Sequence, residues 1–207
     1  MIRLTGITRY GATRAIAALA ATAFVFPAHA AGIAIAPPPA SARASTEVFF
    51  SPGAGTDQAL ATAIGDARQR VWVAGYFFTS SVIAKAIEAA HRRHLDVRVL
   101  LDSSQVTQRY SSATFFHNQG VPLWINSRYP VMHHKLLLID DDTVGFGSMN
   151  FTRAGARQNA DNFNLFRRWP QLTDTYAREF LRLQSESEPY RAGMRVERDR
   201  AAGEKDE

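Results

Sequence analysis

The sequence predicts an α/β fold in which a largely parallel or mixed β-sheet is flanked by helices on both faces. Segments with apolar residues at helical spacing alternate along the chain with short segments rich in β-branched and aromatic residues. The run KLLLID, residues 135–140, is apolar on both faces, as expected for a central strand covered on two sides. A length of 207 residues suits one domain with a substantial core.

The individual elements follow from apolar spacing and from residues that favour one conformation. Residues 56–70 have apolar side chains at helical spacing, and Thr56 is a candidate N-cap. Residues 71–78 are rich in β-branched and aromatic side chains, which favours a strand. The later predicted elements are a helix at 80–94, a strand at 96–102, a weaker helix at 105–120, strands at 121–126, 135–140, 143–148 and 162–169, and a helix at 171–187.

The first thirty residues have the composition of a secretory signal peptide. Arg3, Arg9 and Arg14 precede or flank an apolar run that is short for a membrane span, and a small-residue Ala-His-Ala site ends at Ala30. The alternative, a membrane anchor that is never cut, is disfavoured because the run is short and a cleavage pattern follows it. We therefore expect cleavage after Ala30 and a periplasmic or secreted protein.

Composition also marks a linker and a tail around the folded domain. Residues 31–45 contain three consecutive prolines, which predicts a flexible linker. Residues 46–190 contain all the predicted helices and strands and form the single folded domain. Residues 191–207 are charged and almost free of apolar side chains, which predicts a disordered tail.

Charge and cysteine content narrow the functional classes only partly. The formal net charge is +5, but the residues after Ala30 carry 21 basic and 19 acidic side chains. A mildly basic protein is compatible with a nucleic-acid partner without requiring one. The absence of cysteine excludes disulfides and thiolate metal sites.

One stretch, VMHHKLLLIDDDTVGFGSMNFT at residues 131–152, combines ionisable and polar side chains with an apolar strand. Because side chains alternate along a strand, His133 and Lys135 share one face and His134 lies on the other. The same parity places Ser148 and Asn150 on a common face if that segment stays extended. If the two strands pair, His133, Lys135, Ser148 and Asn150 meet at one end of the sheet.

This set of side chains suits a phosphate group. Each of the four can donate a hydrogen bond to an anion, and the lysine adds a positive charge. Histidine, with an ordinary pKa of about 6.5, can act as a neutral nucleophile near neutral pH. A metal site is the weaker interpretation, since adjacent histidines on a strand face opposite ways and Lys135 would repel a cation. We therefore expect neither a metal nor another cofactor.

The spacing His133-x-Lys135, Asp140 and Gly147-Ser148-x-Asn150 resembles the HKD signature of the phospholipase D superfamily. The resemblance extends from about Val48 to Tyr190 and is to small single-motif bacterial members, which are secreted or periplasmic endonucleases that need no metal. It implies a phospholipase D-like catalytic domain. It also implies that a histidine attacks phosphorus to form a phosphohistidine, while a second motif's histidine protonates the leaving oxygen.

The resemblance assigns roles to particular residues. His133 matches the nucleophile, Lys135 the motif lysine, and Ser148 and Asn150 the pair that binds phosphate oxygens. His134 is not a motif position, and we interpret it as a core or interface histidine.

Two acids and a group of arginines complete the candidate site. Asp140 matches the motif aspartate but lies along the strand, and we interpret it as a residue of the turn and interface. Asp161 lies where close relatives place an acid, often glutamate, that orients the histidine. Six arginines are candidates for contacts with a phosphate backbone, with a solvated surface as an equal alternative. They are Arg92, Arg93, Arg153, Arg157, Arg167 and Arg168.

The sequence thus predicts a metal-independent phosphodiesterase, foremost a nonspecific endonuclease acting on DNA or RNA. The alternatives are a phospholipase D acting on lipid head groups, and a non-catalytic nucleic-acid-binding protein that keeps the fold. Because the mechanism needs two histidines and the chain has one motif, we expect a two-fold homodimer with both His133 side chains in one shared site. We expect no stable membrane insertion after signal cleavage.

Overall fold

The computed structural model describes residues 33–38, 43–108 and 110–195. The chain divides into Met1–Ala34 and Ile35–Glu207, and the second unit contains an eight-stranded mixed sheet with helices on both faces. The predicted α/β class is confirmed. In chain order the elements are β1 Ser45–Ser51, α1 Thr56–Gly65, β2 Arg70–Gly75, α2 Ser81–Arg92, β3 Asp96–Asp102, a 3-10 turn Ser103–Val106, α3 Ala113–Asn118, β4 Leu123–Asn126, β5 Lys135–Ile139, β6 Thr143–Gly147, α4 Arg153–Arg157, β7 Asp161–Arg167, α5 Pro170–Ser185 and β8 Glu188–Pro189.

The strands lie in the order β1-β7-β6-β5-β2-β3-β4-β8. Among these strands, parallel pairing occurs between β2 and β3 and between β3 and β4, whose connections contain α2 and α3. The other pairs are antiparallel. Strands β5 and β6 are joined by only three residues, which permits a hairpin but not a crossover. The sheet is therefore mixed, and its parallel part is smaller than the alternation of helices and strands suggested.

The two faces of the sheet pack against different helices. On β2, Val71 and Val73 belong to the core under α1 to α4, while Trp72 and Ala74 belong to the core under α5. This alternation is what a strand with two covered faces requires. Every residue of β5 is buried, and β5 lies between β6 and β2, so the prediction of a central strand at KLLLID is confirmed.

Two predicted details of the helices are wrong. The N-cap of α1 is Gly55, with φ of 62°, and Thr56 is the first residue of the helix. Residues 105–120 do not form one helix, because they divide into the 3-10 turn and α3. The Gln105 side chain is buried and accepts a hydrogen bond from the Phe78 backbone N–H at 3.1 Å, which connects the turn to the segment that follows β2.

The ends of the chain are described only in part. The predicted signal peptide, residues 1–30, and residues 196–207 of the predicted tail lie outside the described residues. In the predicted linker, Ala36 accepts a hydrogen bond from the Trp169 indole at 3.1 Å. Met194, in the predicted tail, packs against the core. Within the described ranges, the helices are all too short or too polar to cross a membrane.

Asp140 fastens the β5–β6 hairpin to the loop before β2. Its carboxylate accepts the backbone N–H groups of Arg68, Gln69 and Arg70 at 2.7–3.2 Å. Its own backbone is in the left-handed region, with φ of 49°, and its carbonyl accepts the Arg70 side chain at 2.8 Å. These contacts lie at the end of β5 opposite Lys135.

We predict that Asp140→Ala lowers the free energy of unfolding by about 2 kcal/mol, because three backbone donors lose a charged acceptor. Chemical denaturation measures the change. The matched control is Asp141→Ala, which removes an ion pair between a 72% exposed carboxylate and Arg70 and should cost about 0.5 kcal/mol or less. Equal losses in the two variants would contradict the anchoring role of Asp140.

Candidate active site

The segment 127–134 connects β4 to β5 and passes the ends of β3 and β2, which lie between them in the sheet. The Met132 backbone N–H donates to the carboxylate of Asp102, the last residue of β3, at 2.9 Å. The Tyr76 N–H, just beyond β2, donates to the His134 carbonyl at 3.1 Å. Two successive strand ends thus hold the chain on both sides of His133. This edge contains the carboxyl ends of the parallel strands, where open α/β sheets bind ligands.

His133 is exposed and lies beside the side chains of Tyr76 and Lys135. Its imidazole centroid is 4.9 Å from that of the Tyr76 ring. Lys135 begins β5, is 6% exposed, and donates from Nζ to the His133 carbonyl at 2.9 Å. The same ammonium lies 5.5 Å from the centroid of the Tyr76 ring. A nearly buried positive charge therefore lies next to an accessible imidazole.

Burial and nearby charges shift the pKa values of both His133 and Lys135. Desolvation lowers the pKa of His133, the Lys135 charge lowers it further, and Asp102 opposes both. Desolvation also lowers the pKa of Lys135, and the Asp161 carboxylate opposes this. A lowered histidine pKa means that the imidazole stays neutral to a lower pH than an ordinary histidine.

Ser148 and Asp161 bind each other at the end of the adjacent strands. Ser148 Oγ donates to the Asp161 carboxylate at 2.8 Å and accepts the Asn162 N–H at 3.0 Å. A side chain at Gly147 would overlap the Asn162 carbonyl oxygen, so glycine permits the approach of β6 to β7 that this contact needs. Lys135 interacts electrostatically with Asp161, so the Ser148–Asp161 pair is connected through Lys135 to His133.

Asn150 and Arg153 follow Ser148 along the chain. Asn150 Oδ1 is buried without a hydrogen-bond partner among the described residues, and the Asn150 carbonyl accepts the Thr152 N–H at 2.7 Å. Arg153 is exposed at the first position of α4. The other five candidate arginines bind acceptors within the chain: Glu88 for Arg92, carbonyls at the end of α1 for Arg93, Asp57 for Arg157, Glu47 for Arg167 and the Arg43 carbonyl for Arg168.

His134 has different neighbours from His133. Its Nε2 lies 3.8 Å from a carboxylate oxygen of Glu179 on α5, and its side chain is 39% exposed. Desolvation lowers the pKa of His134, and Glu179 opposes this. The histidine outside the motif thus faces α5, while His133 lies with Tyr76 and Lys135.

The structure brings several predicted residues to one end of the sheet. Lys135, Ser148 and Asp161 begin or follow β5, β6 and β7 there, and His133 joins them through Lys135. Asp140 is at the opposite end. Neither His133 nor Ser148 lies in a regular strand, so the two-strand parity argument applies only approximately.

Tyr76 and Asp102 were not among the predicted site residues. Both lie at or just beyond the carboxyl end of a parallel strand, which is the available sequence signal. Asp102 is fully buried, and its effect on His133 depends on the path of segment 127–134, which the sequence does not reveal. Within the described part of the chain, no group of three or more His, Asp or Glu side chains is placed to hold a metal ion.

Comparisons with known proteins identify the family to which the chain belongs. Residues 60–184 match the family described as "Cardiolipin synthase, PLD-like domain". A phospholipase D from Rickettsia bellii is 29% identical over 139 residues, which are 67% of this chain and 69% of the relative. A mitochondrial cardiolipin hydrolase from Xenopus laevis is 30% identical, over 55% of this chain and 54% of the relative.

Solved structures show the same fold. Nuc from Salmonella typhimurium, a phospholipase D family member, aligns with a TM-score of 0.68 and 31% identity, over 72% of this chain and 99% of that one. NucT from Helicobacter pylori aligns with a TM-score of 0.65 at 19% identity, over 71% and 99% of the two chains. The chain belongs to the phospholipase D superfamily. Its relatives are phosphodiesterases of that type, which supports a hydrolase.

We predict that Lys135→Met raises the pKa of His133 towards 6.5, since the substitution removes a nearby positive charge that disfavours the imidazolium form. The pH titration of the His133 ring protons by NMR measures this pKa in the free protein. Lys85→Met, at an exposed position of α2, is the control and should leave it unchanged. An unaltered His133 pKa in Lys135→Met would contradict the electrostatic coupling.

Proposed function

We propose that this protein is a metal-independent phosphodiesterase that cleaves nucleic acid, as a nonspecific endonuclease, through a phosphohistidine on His133. The observation that carries the proposal is the nearly buried Lys135 ammonium beside an exposed imidazole whose pKa is lowered. A desolvated ammonium attracts a phosphate more strongly than a solvated one, because water no longer screens its charge. The lowered pKa keeps the nucleophile neutral.

The proposed reaction proceeds by two displacements at phosphorus. Neutral His133 attacks the phosphate and forms a P–N bond while the bond to the leaving oxygen breaks. A second imidazole, protonated, donates its proton to that oxygen. Water then attacks phosphorus, gives a proton to the second imidazole and releases His133. Lys135, with Asn150 and Arg153 further along the chain, binds the phosphate oxygens. The Ser148 hydroxyl donates to Asp161 in the free site and turns to a phosphate oxygen when substrate binds. The electrostatic interaction of Asp161 with Lys135 favours the charged ammonium.

Lipid hydrolysis is the second candidate, because curated relatives are named phospholipase D and mitochondrial cardiolipin hydrolase. The same phosphate chemistry would serve both substrates, since each reaction breaks a phosphodiester. A non-catalytic nucleic-acid-binding role is the third, and the presence of His133, Lys135, Ser148 and Asn150 argues against it. We place nucleic acid first on the resemblance to single-motif bacterial endonucleases. On the signal-like residues 1–30, we place the enzyme in the periplasm or outside the cell.

The second imidazole is proposed to come from another copy of the chain. The other histidines with described surroundings have different neighbours: His134 faces Glu179, and His117 packs against Tyr190. A two-fold axis near His133 brings the same residue from each subunit to one site. His133 is exposed, as a residue that meets its symmetry mate must be in the isolated chain.

We predict that the wild-type protein cleaves plasmid DNA or RNA in excess EDTA, and that phosphatidylcholine and cardiolipin in vesicles are poorer substrates. Purified wild type, His133→Ala and His134→Ala are compared on all four. His133→Ala should lose several orders of magnitude in kcat, since binding alone does not replace a nucleophile. His134→Ala should retain substantial activity.

Three results would count against the proposal in different ways. Activity that disappears in EDTA and returns with Mg²⁺ would exclude the metal-independent mechanism. Faster cleavage of lipid than of nucleic acid would favour the second candidate. Exchanged phenotypes of the two histidine variants would show that the nucleophile is assigned wrongly.

We predict that active sites require two intact subunits. Wild-type protein is unfolded and refolded with increasing amounts of His133→Ala protein, and activity per wild-type chain is measured. That activity should fall in proportion to the wild-type fraction, because mixed dimers contain a single functional histidine. A constant value would mean that each chain has a complete site.

A further inference from the structure

Helix α5 contacts the segment that carries His133 through a ring of polar side chains on the surface. Arg182 donates to the Tyr129 hydroxyl at 2.8 Å and to Glu186 at 2.8 Å. The Tyr129 hydroxyl in turn donates to Glu186 at 3.0 Å. Glu179 receives two hydrogen bonds from the Arg182 guanidinium, at 2.7 and 2.8 Å. We call Tyr129, Glu179, Arg182 and Glu186 the α5 clamp.

The clamp adds a third attachment to segment 127–134. Met132 is held by Asp102, and His134 is held by Tyr76. Tyr129 is held by the clamp, and it lies on the β4 side of Met132. Pro130 follows Tyr129 and has a restricted backbone, so a fixed Tyr129 restricts the path of the chain towards Met132.

Charge and hydrogen bonding stabilise the contacts within the α5 clamp. Hydrogen bonds to Glu179 and then to Tyr129 raise the pKa of Arg182 above its ordinary value. The hydrogen bonds from Arg182 lower the pKa of Glu179, which is also 3.8 Å from His134. The clamp therefore keeps its charges near neutral pH and reaches the chain on both sides of His133.

We propose that Arg182 and Tyr129 are positioning residues that fix the nucleophile-bearing segment for catalysis. In the part of the chain that the structure describes, the side-chain hydrogen bonds of both residues stay within the clamp. Their effect passes through the backbone between Tyr129 and His133. The kinetic part of this inference rests on the proposed phosphodiesterase function, whereas the effect on the segment does not.

The clamp should matter more for catalysis than for stability. The Arg182 side chain is 46% exposed, and exposed ion pairs contribute little to the free energy of unfolding. Displacement at phosphorus, in contrast, depends on the position and direction of the attacking nitrogen, and small misplacements reduce rates strongly. A loss of kcat without a matching loss of stability is the expected signature of a positioning residue.

Helix α5 offers a matched control. Arg178 lies one turn before Arg182, is 66% exposed, and pairs with Asp174 on the same helix. Its side-chain hydrogen bonds, with Asp174 and Thr175, remain within α5. Arg178→Met and Arg182→Met therefore remove the same type of side chain from the same helix. The first breaks one ion pair and the second breaks two, with Glu179 and Glu186, and only the second releases Tyr129.

The experiment compares Arg182→Met, Tyr129→Phe, their double variant and Arg178→Met in the full chain. Steady-state kinetics use the best substrate found for the wild type, and sedimentation gives the oligomeric state. Hydrogen exchange of the Met132 amide reports on the segment without requiring activity. We expect kcat to fall about tenfold to a hundredfold in both single clamp variants, with KM within about twofold. The double variant should be no slower than the slower single variant, because both remove the same contact.

The controls separate positioning from a general loss of stability or of assembly. Met132 exchange should be faster in the clamp variants and unchanged in Arg178→Met, with all variants keeping the wild-type oligomeric state. Equal kcat in Arg182→Met and Arg178→Met would overturn the inference, as would a changed oligomeric state or unchanged Met132 exchange in Arg182→Met. If the wild type hydrolyses none of the substrates, the proposed function fails, and Met132 exchange alone decides whether the clamp holds the segment.

Discussion

The burial of the Lys135 charge is the constraint on which the site depends. Strand β5 is covered on both faces, so its first residue, Lys135, is buried together with the apolar residues that follow it. Removing an ammonium from water is costly, and desolvation lowers the pKa of Lys135 accordingly. The His133 carbonyl, the Tyr76 ring and the Asp161 carboxylate offset this cost. The ammonium that these three groups surround is the one that we propose binds phosphate.

The family motif can be understood as a description of one hairpin with two fixed ends. Lys135 marks the end of β5 at the site, and Asp140 marks the far end, where it binds three backbone donors before β2. Gly147 then allows β6 to approach β7 closely enough for Ser148 to reach Asp161. The spacing within the HKD motif thus corresponds to the lengths of the buried strand β5, the turn after it and the antiparallel strand β6. Residues far from the chemistry are part of the pattern because they hold this hairpin in register.

Sequence reasoning succeeded where a local rule determines the structure. The apolar run of β5 indicated a central strand, and the alternation of side chains predicted opposite faces for His133 and His134, which have different neighbours. It was less successful where a distant residue decides the outcome. Gln105 accepts the backbone N–H of Phe78, which follows β2, and lies in a 3-10 turn where a helix was predicted to begin. The position of Asp102 beside the His133 segment depends on strand order, and that of Tyr129 depends on the docking of α5. Neither strand order nor helix docking can be deduced from the residues next to Asp102 or Tyr129 in the sequence.

The pairing of β1 with β7 has a consequence for the order of folding. Glu47 on β1 forms an ion pair with Arg167 on β7, 120 positions later in the chain. Strand β1 emerges early during synthesis but cannot pair until β7 is available, and contacts between distant parts of a chain form slowly. Meanwhile Val48 and Phe50, still 52% and 67% exposed in the folded chain, belong to an unpaired strand. The newly made chain therefore passes through a stage at which this strand can join strands of other chains, and pairing with β7 covers one of its two edges.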